Sequence, residues 1–77
     1  MDIQPADSFS TKLEVCYEVK LYLTSLMAQL AEGEVLEFIS SDPHAMEELE
    51  PWSELRGYEI LDIQPLDDNR IRFLIRR

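Results

Sequence analysis

The apolar period of this chain changes at residue 16. Before it, Phe9, Thr11, Leu13 and Val15 alternate with Ser10, Lys12 and Glu14, the period of two that marks a half-buried strand. After it, Val19, Tyr22, Leu23, Leu26, Met27 and Leu30 recur at spacings of three and four, which gathers them on one face of a helix. The switch predicts a strand over 8–15 running straight into a helix of about four turns over 17–31, closed before Gly33. Cys16 stands at the joint.

The remaining sequence supplies four more elements. Residues 35–39, Val-Leu-Glu-Phe-Ile, are rich in strand formers, and Ser40-Ser41-Asp42-Pro43 stops them with a helix-start signal. Asp42 is placed to cap, and Pro43 to take the first helical position, where its missing N–H costs nothing. The second helix is expected to turn Ala45, Met46, Leu49, Trp52 and Leu55 inward, with Pro51 kinking or dividing it and Gly57 closing it. Residues 58–64 and 70–76 read as two antiparallel strands joined by the turn-rich stretch Pro65-Leu66-Asp67-Asp68-Asn69. Along the last strand Ile71, Phe73 and Ile75 face one way, and Arg70, Arg72 and Arg76 the other, as in a sheet covered on one side.

Length and charge narrow the function classes. Seventy-seven residues form one domain with a modest core, expected over 8–77 behind a flexible N-terminal segment, 1–7. No apolar run reaches the eighteen or so residues that span a bilayer, and Met1-Asp2-Ile3-Gln4-Pro5 lacks a basic region followed by an apolar one. A cytoplasmic protein without membrane contact is the expectation. The net charge of −9 is concentrated in the middle of the chain, with about −6 over 33–57. Nucleic-acid affinity comes from Lys and Arg neutralising phosphates, so direct binding of nucleic acid is not expected from seven basic residues in so acidic a chain; protein partners bearing Arg are. No cofactor is called for, nor a metal site, since one cysteine and one histidine, His44, cannot build a multi-cysteine zinc site.

Several residues admit a structural and a functional reading. A lone cysteine is either a small core residue or a nucleophile. Glu18 is good electrostatics in a first helical turn, where it would also repel an anion formed nearby. His44 reads as solvated, Trp52 as a core or edge residue. Glu47, Glu48, Glu50 and Glu54 form either a solvated helix face or a docking surface. Arg70, Arg72 and Arg76 are expected to pair with Glu37 and Asp62 across the open sheet face.

Taken as one string, Cys16-x-Glu18, Gly33-Glu34, Asp42-Pro43, Trp52, Gly57-Tyr58-Glu59 and the ending Arg72-Phe73-Leu74-Ile75-Arg76 resembles the TusA/SirA family of sulfur-carrier proteins over residues 9–77. The resemblance implies an α+β fold: a two-layer sandwich, β-α-β-α-β-β, with two helices on one face of a mixed four-stranded sheet. It also implies that Cys16 holds a persulfide, received from a cysteine desulfurase or rhodanese-like donor and passed to a thiol acceptor protein. Glu18 corresponds to the acidic residue of the family's motif. Members typically carry Cys-Pro-x-Pro there; this chain has Cys16-Tyr17-Glu18-Val19, and Leu13-Glu14 replace the Gly-Leu pair common before the cysteine. The alternative is an adaptor or regulatory member that binds proteins without transferring sulfur.

Overall fold

A computed structural model describes residues 3–66 and 69–77. The elements are β1 (Asp7–Thr11), α1 (Tyr17–Ala28), β2 (Val35–Ser40), α2 (Ala45–Arg56), β3 (Glu59–Pro65) and β4 (Ile71–Arg76). They follow the expected order and build a two-layer α+β sandwich. The four strands form one mixed sheet in the order β1-β2-β4-β3: β1 runs parallel to β2, and β4 antiparallel to both β2 and β3. The stretch expected to join β3 and β4 includes Asp67 and Asp68, which lie outside the described residues; at its ends the Leu66 N–H donates to the Arg70 carbonyl at 2.7 Å, and Asn69 takes φ 61°.

The layers meet over an aromatic row. Register sets Phe9 beside Phe38 and Phe38 beside Phe73, with ring centroids 5.7 and 6.0 Å apart and the rings stacked. Val19, Leu23 and Met27 of α1 and Ala45, Leu49 and Trp52 of α2 close over this row, together with Leu36 and Ile75. Leu23 and Leu49 have no exposed surface, so truncating either to alanine removes about 2–5 kcal/mol of stability. On the other face, Arg72 Nε donates to Glu37 Oε2 at 2.6 Å, and Arg76 pairs with Glu59. The expected Glu37 pairing is present; Asp62 stands in no ion pair among the described residues.

Four expectations are corrected. The first strand stops at Thr11, because the Thr11 hydroxyl accepts the Leu13 N–H at 3.0 Å and turns the chain out of the sheet; Leu13 is 66% exposed, and only Val15, at 1%, returns to the core. The first helix ends three residues early, at Ala28. Arg77 Nη1 donates there to the carbonyls of Ala28, at 3.0 Å, and of Leu30, so the cation that suits a helix C-terminus arrives from the end of β4. Pro51 does not divide α2, which continues from Ala45 to Arg56 and is closed by Gly57 at φ 77°. Met46 and Leu55 point away from the core, 46% and 84% exposed: at about 100° per residue they lie roughly 80–100° from the inward stripe.

Candidate functional site

The joint between β1 and α1 is held by backbone and by one carboxylate. Cys16 is the N-cap of α1, with extended backbone at φ −98° and ψ −175°. Its carbonyl accepts the first helical bond, from the Lys20 N–H at 3.0 Å, and its own N–H donates to the Glu14 carbonyl at 2.8 Å. One residue earlier, the buried Val15 N–H donates to Asp42 Oδ2 at 2.8 Å. Asp42 belongs to the entry of α2, where its Oδ1 accepts the His44 N–H at 2.9 Å; its own N–H donates to the buried Ser40 hydroxyl at 3.0 Å. The Val15 and His44 N–H groups hold the Asp42 carboxyl below the usual carboxylate range, with the Val15 bond the larger cause.

The expected start of the second helix at Pro43 with Asp42 as its cap is corrected: α2 begins at Ala45 with His44 as N-cap and no side-chain cap, and Asp42 instead holds the turn ahead of it through the His44 N–H. One carboxylate pins the turn before α2 and fixes the residue before Cys16. No sequence pattern announces a contact across twenty-seven residues.

Cys16 itself is exposed, which settles the core reading against it. Its side chain makes no capping hydrogen bond. The N–H groups of Tyr17, Glu18 and Val19 are the ones a helix leaves without internal partners at this end, and they carry the positive end of the helix dipole. An N-cap position is one where a negatively charged side chain is favoured by those N–H groups. Glu18 is exposed, two residues after the cap in the first turn of α1.

Beside this joint a cleft of about 270 Å³ opens between α1 and α2. Tyr17, Leu21, Pro51, Trp52 and Leu55 give it apolar walls, with Arg56 at its rim. Lys20 spans it to Glu48 at 3.2 Å. Trp52 Nε1 donates to Thr24 Oγ1 at 3.1 Å, and the Thr24 hydroxyl donates to the Lys20 carbonyl at 2.8 Å. Trp52 is thus the core-edge residue expected from the sequence. No periodicity within either helix announces the cleft, because Tyr17 and Leu21 belong to α1 and Leu55 to α2, and of the three only Leu55 is expected from the sequence to face inward.

His44 is exposed, with Nδ1 3.6 Å from Glu47 Oε2. Among the described residues no three His, Cys, Asp or Glu side chains form a group that could hold a metal ion, and no helix is long and apolar enough to cross a membrane.

No curated protein matches the chain. A family model described as Sulfurtransferase TusA matches residues 12–77, from just before the Cys16 joint through β4. The match covers most of the sequence, and the chain belongs to the TusA sulfurtransferase family.

Proposed function

We propose that this protein carries sulfur between proteins as a persulfide on Cys16. In the loading step the Cys16 thiolate attacks the outer sulfur of a donor persulfide, R–S–SH. A Cys16 S–S bond forms, the donor S–S bond breaks, and the donor leaves as its thiolate, with no net oxidation. An acceptor thiolate then attacks the outer sulfur on Cys16 in the same way, and Cys16 leaves as thiolate. No cofactor enters either step.

The observation that carries the reading is the exposed Cys16 at an otherwise uncapped helix N-terminus. Family membership supports the same role. Donors of the cysteine desulfurase or rhodanese-like class fit this chemistry, as does an acceptor protein with a free thiol. Glu18 is assigned to the motif as its acidic residue, a neighbour whose charge opposes a thiolate at Cys16 by repulsion. We assign the activity to the cytoplasm, where thiols stay reduced, and we assign no direct contact with nucleic acid.

The test is intact-mass measurement after incubation with a cysteine desulfurase and cysteine, or with a rhodanese and thiosulfate. The expected result is a gain of one sulfur atom, reversed by dithiothreitol and absent from Cys16→Ser. A chain that gains no sulfur from either donor refutes the carrier reading. Tyr17 and Val19 stand where prolines would fix the cysteine's presentation, and this observation favours an adaptor as the reading that would then replace it.

A further inference from the structure

Ile60 and Ile63 lie three apart in β3, a spacing that ordinarily sends two strand side chains to opposite faces. Here both line the same groove, because the register of β3 shifts between Ile60 and Asp62: Ile60 pairs with Ile75, Ile63 with Phe73, and Leu61 is the extra residue of a bulge. With Met46 of α2 and Tyr58 they form the apolar floor of a groove of about 340 Å³. It lies on the β3 flank of α2, whereas the cleft near Cys16 lies on the α1 flank.

The rim of this groove is acidic, formed by Glu50 and Glu54 of α2 and by Glu59 at the start of β3. Glu59 is paired with Arg76. Among the described residues Glu50 and Glu54 stand in no ion pair, and both are exposed. β3 is also an outer strand of the sheet, but its bulge, Asp62 and Pro65 all oppose the addition of a further strand. The groove is therefore shaped to take side chains.

We propose that this groove docks a basic amphipathic helix of another protein. Apolar side chains of that helix rest on Met46, Ile60 and Ile63, and its Lys or Arg residues meet Glu50 and Glu54. Charge selects this occupant: two unmatched carboxylates border an apolar floor on a chain of net charge −9. A second copy of the chain is opposed by the same charge. Nothing in this docking uses Cys16, so it stands or falls separately from sulfur carriage.

The probe is a labelled synthetic helix about four turns long, built of leucine and lysine at helical spacing, titrated with the full chain and followed by fluorescence anisotropy. The double variant Glu50→Gln/Glu54→Gln is expected to bind it roughly tenfold more weakly. Glu14→Gln/Glu32→Gln removes the same charge elsewhere and is expected to change binding less than about twofold at physiological salt. In the wild-type chain the methyl resonances of Met46, Ile60 and Ile63 should shift on binding while Cys16 stays as reactive as before. Equal weakening by the two double variants would reduce the effect to general attraction and overturn the proposal. So would absence of binding, methyl shifts elsewhere, or equal binding of a helix with glutamate in place of lysine.

Discussion

The two helices begin differently. α2 is entered through Ser40, Asp42 and Pro43, with a carboxylate on the His44 N–H and a proline that has no N–H to satisfy. α1 is entered through Cys16, whose side chain caps nothing. Neither helix has a side-chain cap, but the turn into α2 is pinned by Asp42, through its carboxylate on the His44 N–H and its carbonyl on the Ala45 N–H, whereas the first N–H groups of α1 are left for an anion that comes and goes. The two ends are also coupled, since the second oxygen of Asp42 holds Val15. The pinned turn steadies the open helix end.

The largest effect should come from breaking that coupling. Asp42→Ala leaves the buried Val15 N–H without an acceptor and releases the His44 N–H in the turn before α2, and should cost about 2–4 kcal/mol in urea denaturation. Sulfur loading of the folded fraction should fall as well, because the chain before Cys16 is released. A loss below about 1 kcal/mol would show that Asp42 is not the link between the two ends.

The acid limb of stability comes next. Asp42 and Glu37 both have carboxyls lowered in the fold, Asp42 by the Val15 and His44 N–H groups and Glu37 chiefly by its bond from Arg72, then from Ser8. Their stabilisation is complete above the unfolded carboxylate range near pH 4 and is lost as pH falls below it, through the folded-state values. Denaturation midpoints measured from pH 6 to pH 2 should therefore drop mainly below about pH 4. Asp42→Asn should shallow that drop; an unchanged profile would remove Asp42 from it.

Closing α1 reverses the sign. Cys16→Ser gives this helix a hydroxyl acceptor like those preferred at N-caps, and should raise stability by about 0.5–1 kcal/mol while abolishing sulfur loading. A destabilised serine variant would mean that the cysteine already caps the helix in solution. The smallest effect belongs to the cleft: Leu55→Asn, at an exposed position, should change stability by less than about 0.5 kcal/mol. Its consequence should instead be slower transfer of sulfur to or from a protein partner, with transfer to small thiols unchanged.

Most of the fold was legible because period and punctuation agree. The alternation around Phe9, the three-and-four spacing from Val19, the Asp42-Pro43 stop and the hairpin strands all correspond to elements in the structure. What escaped was decided by side chains acting on distant backbone. Leu13 continues the alternation, yet the Thr11 hydroxyl had already ended the strand. Leu30 continues the helical period, yet the Ala28 carbonyl at the end of α1 is met by Arg77, forty-nine residues further on. At the site, the position of Cys16 followed from the change of period, but its exposure and the hold of Asp42 on Val15 depend on how two loops meet.

Trp52 is the only tryptophan in the chain. Its indole donates to Thr24 across the two helices, lies 5.4 Å from the Tyr58 ring, and lines the cleft beside Cys16. These contacts make it a built-in optical reporter. A partner seated against Tyr17 and Leu55 would change the polarity around that single indole, and its emission would record arrival and departure in real time without a label.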